Sequence, residues 1–314
     1  MEYANKTYSV QFTLLGLSSD PHLQVVYFST FLLMYLIALS GNLFLVVIVI
    51  INPKLQTPMY FFLCNLSIID ICLSSTVIPI LLFNTLSNDR SISLVGCAAQ
   101  MFFSLVLGAA ECLLLAMMAY DRYVAICKPL HYTSIMNKKL CLCFPFVAWT
   151  VGFVNSSIHV ASTFQLPYCK SHHINHFFCE IPPFLRIACK DTRNNEIGMY
   201  FSAGIMVLCS FLLILVSYIH IISTILNIKS SQGRHKTFST CASHLTVVSL
   251  YYGTIMFNYM HPRSAYTTDT DKAVSVLYTV VTPMLNPIIY SIRNKDVKSS
   301  ICKNSTSEFD VIQT

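Results

Sequence analysis

Two carboxylic acids, Asp70 and Glu111, each lie within an apolar stretch that contains no other charged residue. An ionisable side chain among apolar residues is costly and needs a proton, a cation or a hydrogen-bond partner. If both stretches are helices, with a rise of 1.5 Å per residue, each acid lies about 16 Å from one end of its helix. These two helix ends lie on the same side of the pair of helices. Two carboxylates at one depth repel each other unless they share a proton or a cation. The sequence leaves both alternatives open: a protonated, hydrogen-bonded pair or an ion site.

A second group of candidate ligands lies in the segment Cys169–Cys179, which also contains His172, His173 and His176. Their spacing could hold zinc or copper. Cysteines committed to disulfides cannot act as thiolate ligands, so we expect an ordinary polar loop without a metal. The sequence also lacks Gly-x-Gly-Asp and His-Glu-x-x-His, the motifs of intramembrane aspartyl proteases and of zinc proteases. We therefore expect no catalytic residues and no enzyme.

The elements that position the two acids must be long apolar helices. Hydrophobic residues make up 54% of the chain and charged residues 11%, against about 25% charged in a typical soluble domain. The net charge of +6 is modest and no basic run occurs, which argues against a nucleic-acid partner. Seven stretches reach the roughly 20 residues that a helix needs to cross a bilayer. They are Val25–Ile51, Met59–Phe83, Ala98–Tyr120, Leu140–Ala161, Ile197–Leu226, Thr237–Met260 and Ala273–Ile292. We predict an all-α membrane protein with a single bundle of seven transmembrane helices.

The distribution of basic residues predicts the orientation of this bundle. The first, third and fifth connections and the tail together hold most of the 20 Lys and Arg residues, which places that side in the cytosol. We predict residues 1–24 outside the cell, residues 25–292 as the bundle with its loops, and residues 293–314 as a cytoplasmic tail. The Asn5-Lys6-Thr7 sequon then lies outside, and we expect a glycan on Asn5. Because no signal peptide is evident before the first stretch, we expect that stretch to act as its own insertion signal.

Four cysteines fall on the side that we predict to be extracellular. Cys97 directly precedes the third stretch, while Cys169, Cys179 and Cys189 lie in the long loop before the fifth. Disulfides persist in that oxidising setting, and four cysteines allow three pairings. We favour Cys97–Cys179, which would tie the loop to the third helix, together with Cys169–Cys189.

The segment Met118–Cys127, at the cytosolic end of the third stretch, resembles the signature of vertebrate olfactory receptors. These receptors are a branch of the rhodopsin-like G protein-coupled receptors. Further matches follow in family order along nearly the whole chain: Gly41-Asn42, Thr57–Leu63 with Leu66, Ser67 and Asp70, Ser217-Tyr218, Lys236–Leu245 and Pro283–Tyr290. Gln56 stands where the family often has His, and Tyr251 where Phe is usual.

The resemblance implies an odorant receptor of the plasma membrane, in the cilia of olfactory sensory neurons. It would bind a small volatile ligand and activate a stimulatory, olfactory-type G protein to raise cAMP. It also implies a sodium-type site at Asp70 and Glu111, with Asn42, Asn286 and Ser67 as neighbours. The residues that it assigns to the coupling switch are Asp121, Arg122, Tyr123, Tyr218, His244, Asn286, Pro287 and Tyr290.

A ligand pocket is expected in the outer half of the bundle, from helical phase together with the resemblance. Its predicted residues are Leu105, Gly108, Ala109, Ser202, Met206, Tyr252, Ile255, Tyr259, Val276 and Thr279. Such an apolar pocket with a few hydroxyls suits a small hydrophobic molecule with one polar group. Ser104 is not an acid, so a biogenic amine is not expected.

A secondary transporter is the main alternative, because carboxylates near the midplane can couple proton movement. Seven spans and the lack of a visible repeat in the sequence count against it. Uptake of a substrate that depends on Asp70 and Glu111 would distinguish a transporter from a receptor.

Overall fold

The computed structural model describes residues 11–18, 20–87, 89–169, 172–260 and 268–293. The predicted glycosylation site, Asn5, lies outside these residues, as does nearly all of the predicted tail. The helices are α1 Pro21–Ile51, α2 Pro58–Leu86, α3 Leu94–Cys127, α4 Tyr132–Ile135, α5 Lys138–Phe164, α6 Ile181–Ile187, α7 Arg193–Leu226, α8 Ser231–Met260, α9 Thr268–Val276 and α10 Thr282–Arg293. Two 3₁₀ turns, Pro53–Leu55 and Pro129–His131, lie in connections, and a π-helical segment, Leu277–Val281, joins α9 to α10.

Six helical stretches are long and apolar enough to cross a membrane: α1, α2, α3, α5, α7 and the continuous stretch Asp269–Ser291. The helix α8 has 30 residues and is long enough, but its composition is more polar. Lys236 and two His residues, His235 and His244, contribute to that polarity. The seven helical stretches predicted from the sequence are therefore confirmed.

The helix α3 lies at the centre of the bundle and contacts α2, α5, α7 and α8. On the outside of the bundle, large apolar side chains such as Phe146 and Phe201 are exposed. In water such a surface would drive aggregation, whereas in a bilayer it faces lipid. The arrangement is therefore that of a multi-pass membrane protein.

Polar side chains mark where several helices begin. Asp20 accepts a hydrogen bond from the backbone N–H of His22 at 2.9 Å, before α1. Ser93 and Asn137 cap α3 and α5 in the same way. Each cap satisfies a backbone donor that has no partner within the helix.

Pro287 interrupts the hydrogen bonding of α10, because proline has no N–H to donate to the carbonyl four residues earlier. That carbonyl belongs to Pro283. Asn42 of α1 donates its Nδ2–H to the Pro283 oxygen at 2.9 Å and replaces the missing donor. A freed carbonyl inside a membrane needs such a partner. The contact therefore joins α1 to α10 at the point where α10 is weakest.

One end of the bundle, which we call the disulfide end, is covered by a small sheet and a long loop. The sheet has the order β2-β1-β3 and consists of β1 Gln11–Leu14, β2 Ser91–Ser93 and β3 His173–Ile174. The strand β1 pairs antiparallel with β2 and parallel with β3. The structure joins the cysteines in the favoured pairing, Cys97–Cys179 and Cys169–Cys189, with Cα–Cα distances of 5.4 and 5.8 Å.

The helices α3 and α5 approach each other closely at Gly152. A Cβ atom at this position would lie 2.8 Å from the backbone oxygen of Val106 in α3. One turn away, Ser156 donates a hydrogen bond to the Phe102 oxygen at 2.8 Å. Small residues at the contact allow the two backbones to come together, which is how helices associate in lipid.

We predict that Gly152→Ala destabilises the protein, because the added methyl group must push α5 away from the α3 backbone. The expected cost is about 1–3 kcal/mol, the usual range for overpacking a tight contact. The melting temperature of the purified protein measures it. Gly204→Ala is the matched control, since a Cβ there meets no atom within 4 Å. Equal melting temperatures for the two variants would contradict the close approach.

Candidate functional site

A cleft opens between the helices near the disulfide end. It has two connected chambers, of about 180 Å³ and about 430 Å³. The smaller is lined mainly by apolar side chains of α3, α7 and α8, and we call it the apolar chamber. The larger, the polar chamber, lies among α5, α6, α7 and α9. Residues shared by both linings are Leu105, Asn155, Glu180, Ile181 and Ala203.

Most of the residues predicted to bind ligand are placed around this cleft. Those in the apolar chamber are Leu105, Gly108, Ala109, Met206 and Ile255, while Ser202 lines the polar chamber. Ser202 is held there by a 2.7 Å hydrogen bond with His159 Nε2. The side chain of Tyr259 lies outside the part of the chain that the structure describes.

The lining differs from the prediction at Tyr252, Val276 and Thr279. Tyr252 is buried behind the cleft and donates its hydroxyl to the Cys112 carbonyl at 3.1 Å. Its neighbour Tyr251 lines the apolar chamber instead and donates to the Gly108 carbonyl at 2.7 Å. The helix α8 thus presents Tyr251 rather than Tyr252 to the cleft, together with the predicted Ile255.

The other two differences arise where α9 passes into the π-helical segment. Thr279 is fully buried and Val276 packs against an apolar cluster, so that neither lines the cleft. Thr279 lies within the π-helical segment, whose hydrogen-bonded turns are wider than those of an α-helix, and Val276 directly precedes it. Ser275 and Tyr278 face the cleft in their place.

Glu180 and Asn155 are cleft residues that the sequence analysis did not select. Asn155 could have been selected, because a side-chain amide within an apolar stretch is costly in lipid unless it faces a partner or a cavity. Glu180 follows Cys179 directly, so the disulfide that was predicted for Cys179 could have pointed to it.

The Glu180 carboxyl accepts two hydrogen bonds at the junction of the chambers. The Tyr278 hydroxyl donates to Oε1 at 2.6 Å and the Ser275 hydroxyl to Oε2 at 3.3 Å. Burial raises the pKa of Glu180, and these hydroxyls partly oppose that shift by stabilising the charged form. Its side chain nevertheless keeps 24% exposure, which faces the cleft.

His176 lies beside Glu180 and is 1% exposed. Its Nδ1 accepts a hydrogen bond from the backbone N–H of Phe178 at 3.5 Å, so the neutral ring carries its proton on Nε2. Burial, with a smaller contribution from the Lys272 charge, lowers the pKa of His176 to about 3. The ring is therefore neutral at physiological pH.

The two intramembrane acids lie deeper in the bundle, and both are fully buried. Asn286 of α10 donates its Nδ2 hydrogens to both oxygens of Asp70, at 3.1 and 2.9 Å. Among the residues described, Glu111 Oε1 and Asn286 Oδ1 have no hydrogen-bond partner. Three oxygen-bearing side chains from α2, α3 and α10 are thus buried together. Two of their oxygens accept no hydrogen bond from the residues described.

The opposite end of α3 carries the predicted switch residues. Asp121 accepts a 2.8 Å hydrogen bond from the Tyr132 hydroxyl of α4, and Nε of Arg122 has no partner among the described residues. His244 of α8 bridges two helices. Its Nε2 faces the Leu115 carbonyl at 3.1 Å and its Nδ1 the Tyr218 hydroxyl at 2.7 Å.

The Leu115 carbonyl can only accept, so His244 Nε2 carries the proton and Tyr218 donates to Nδ1. This chain of hydrogen bonds links α3, α8 and α7.

Arg122 lies within electrostatic reach of Tyr218, His244 and Tyr290. The ring of Tyr123 lies tilted against that of Tyr120, with 6.1 Å between the ring centroids. The predicted switch residues Pro287 and Asn286 belong to the α10 contacts already described.

Comparison with known proteins decides the family. A family model described as olfactory receptor matches residues 31–307. The chain belongs to the olfactory receptor family. It is 50% identical to mouse (Mus musculus) olfactory receptor 5B21, over 95% of this chain and 94% of that relative. It is 47% identical to mouse olfactory receptor 5AR1 (96% and 98% covered) and 48% identical to the dog (Canis lupus familiaris) olfactory receptor-like protein OLF1 (94% and 95%). The protein is therefore a seven-helix membrane receptor of the G protein-coupled class and not an enzyme.

We predict that this receptor loses stability as the pH falls from about 6.5 toward 3. The pKa of His176 is about 3 in the folded receptor against 6.5 for an ordinary histidine. The unfolded chain therefore binds more protons in this range, which favours unfolding by up to about 1.4 kcal/mol per pH unit. The raised pKa of Glu180 acts in the opposite direction, so the effect is isolated by comparing wild type with His176→Gln.

The melting temperature of purified receptor, measured across this pH range, should fall less for His176→Gln than for wild type. His172→Gln, in the same loop but exposed, should behave as wild type. Parallel curves for wild type and His176→Gln would show that His176 is not held neutral by burial.

Proposed function

We propose that the receptor binds a small, mostly hydrophobic odorant in the two-chamber cleft. It then activates a stimulatory, olfactory-type G protein, which raises cAMP. The observation that carries the proposal is the cleft itself: an apolar chamber bounded by three helices and closed by a loop that a disulfide holds in place. At roughly 0.8 kcal/mol per buried CH₂ group, an odorant gains affinity chiefly by leaving water.

The contacts below the cleft suggest how ligand binding reaches the G protein. Tyr251 ties α8 to α3 at the cleft floor, and Cys112 contacts Ser210 of α7 at 3.0 Å. The His244 bridge joins the same three helices nearer to Arg122. An odorant that favours another spacing of these helices shifts the population toward a state in which Arg122 is free to receive the G protein.

The basic side of the bundle faces the cytosol in this proposal, and the disulfide end faces outward. The relatives named as olfactory receptors support a place in the plasma membrane of olfactory sensory neurons, in their cilia. An odorant would then enter from the side on which the cleft opens.

A sodium ion is a fitting occupant for the space between the two intramembrane acids. Asp70 and Glu111 would hold it, with Asn286 Oδ1 as a further oxygen that has no partner among the described residues. The ion would supply a positive charge that offsets the repulsion between two carboxylates. A shared proton would do the same, and the two are separated by experiment.

We predict that Arg122→Ala abolishes the odorant-induced cAMP response, because the G protein loses the charge that it meets at the end of α3. Cells expressing the receptor with an N-terminal epitope tag are exposed to a panel of volatiles. Antibody staining of intact cells measures the amount at the surface and also tests the proposed orientation. Lys139→Ala removes one exposed charge at the same end and should keep most of the response.

A full response from Arg122→Ala at normal surface level would refute this coupling mechanism. A tag that stains only after permeabilisation, while the response is intact, would refute the orientation.

We predict that odorant potency falls as sodium rises for the wild-type receptor and is independent of sodium for Glu111→Gln. An ion that binds the arrangement described here stabilises it and so opposes a ligand that favours another. Receptor-containing membranes with sodium replaced by a bulky organic cation provide the assay. Asp89→Asn, which removes an exposed acid, is the control and should keep the sodium effect. Potency that follows pH but not sodium in wild type would favour the shared proton.

A further inference from the structure

Four side chains form a polar corner where the two chambers meet: His176, Glu180, Ser275 and Tyr278. Glu180 lines both chambers, and His176 and Ser275 line the polar one. The apolar chamber begins next to this corner, with Leu105 and Ile181 shared between both linings. A ligand whose apolar part fills that chamber therefore has its polar end within reach of Glu180.

Glu180 has acceptor capacity that the described residues of the receptor do not use. A carboxylate has about four lone-pair positions, and only the Tyr278 and Ser275 hydroxyls donate to it among the described residues. Its exposed area faces the cleft. A ligand that donates a hydrogen bond can therefore occupy a remaining position.

His176 supplies the complementary group. Its Nε2–H is buried, has no hydrogen-bond partner among the residues described, and lies 3.8 Å from Glu180 Oε2. This separation is too long for a good hydrogen bond. It does allow a single oxygen atom to lie within hydrogen-bond distance of both groups. A buried donor without a partner is costly, so an oxygen placed there removes a penalty.

The chemistry of this pair discriminates between functional groups. The oxygen that bridges Glu180 and His176 must accept from Nε2 and donate to the carboxylate. A hydroxyl does both, whereas an ammonium only donates and an aldehyde or ketone only accepts. A carboxylate also accepts only, and its charge is repelled by Glu180.

We propose that the polar corner anchors the hydroxyl of a hydrophobic alcohol or phenol, whose apolar body fills the apolar chamber. This inference rests on the proposed odorant-binding function and names the ligand class. The hydroxyl donates to Glu180 and accepts from His176, while Tyr278 and Ser275 keep the carboxyl in position.

The position of the anchor is set by bonds that do not depend on the ligand. Cys179, next to Glu180, is joined to Cys97 of α3, and its backbone N–H donates to Gln100 Oε1 at 2.8 Å. Gln100 in turn donates to the Thr76 oxygen of α2 at 3.0 Å. Glu180 is thus held against α3 before a ligand arrives, which lowers the entropy lost on binding.

The test compares four functional groups on one skeleton, in cells that express the full receptor. The probes are octanol, octanal, octanoate and octylamine, and the corresponding alcohol, aldehyde, acid and amine of phenylpropane. Wild type should respond to the alcohol of at least one skeleton at the lowest concentration. Glu180→Gln should raise the half-maximal concentration of that alcohol by about tenfold or more, as expected for losing a hydrogen bond to a charged group.

Asp191→Asn is the matched control, because it removes one acid from the same loop at an exposed position outside the cleft. It should leave alcohol potency unchanged. If Glu180→Gln does not reach the surface, Glu180→Asp gives the same test, since it keeps the charge but withdraws the carboxyl from the ligand, and the same loss of potency is expected.

Three outcomes would overturn the anchor and leave the odorant-receptor function standing. They are equal potency of alcohol and aldehyde, a preference for the amine or the acid, and an alcohol response that Glu180→Gln leaves unchanged. The last of these outcomes is the one expected if a trapped water fills the corner. No response to any probe or to the wider volatile panel, at normal surface level, would instead overturn the proposed function together with the anchor.

Discussion

The structure depends on one constraint: a polar group inside a lipid bilayer must find its partner within the protein. Asn42 illustrates it, since it donates to the Pro283 carbonyl that Pro287 leaves without an N–H. Asn286 illustrates it again by donating to both oxygens of Asp70. These two amides hold α1 and α2 against the proline-weakened α10. The helix that proline weakens is therefore held by side-chain hydrogen bonds to its neighbours.

The same constraint makes three of the unpaired groups informative. Glu111 Oε1 and Asn286 Oδ1 lie in the bundle centre and His176 Nε2 lies beside the cleft, and none has a partner among the described residues. The first two are acceptors, which a cation or a proton satisfies. The third is a donor, which only an acceptor satisfies. Each unpaired group thus specifies the chemistry of its occupant, and the two locations call for different occupants.

Much of this architecture could be predicted from the sequence because hydrophobic length and charge placement are strong signals. The ends of the helical stretches were predicted to within seven residues, and the family motifs located Arg122 and Asn286 on them. Pocket residues were harder to predict because they depend on helical phase. In α8 the cleft is lined by Tyr251 rather than Tyr252, and where α9 passes into the π-helical segment it is lined by Ser275 and Tyr278 rather than Val276 and Thr279. Glu180 was missed because a loop, unlike a helix, has no regular repeat from which the direction of a side chain can be predicted.

The disulfide end shows why a loop residue can matter as much as a helix residue in this receptor. Loops are usually mobile, and a mobile carboxylate would be a poor anchor because binding would have to order it. Here the segment around Glu180 is held by the Cys97–Cys179 bond, by the Gln100 contact and by the β1–β3 pairing. Ordering therefore occurs on folding rather than on binding. The apolar chamber can then gain selectivity from the polar corner beside it, because the polar groups there are already in place when the ligand arrives.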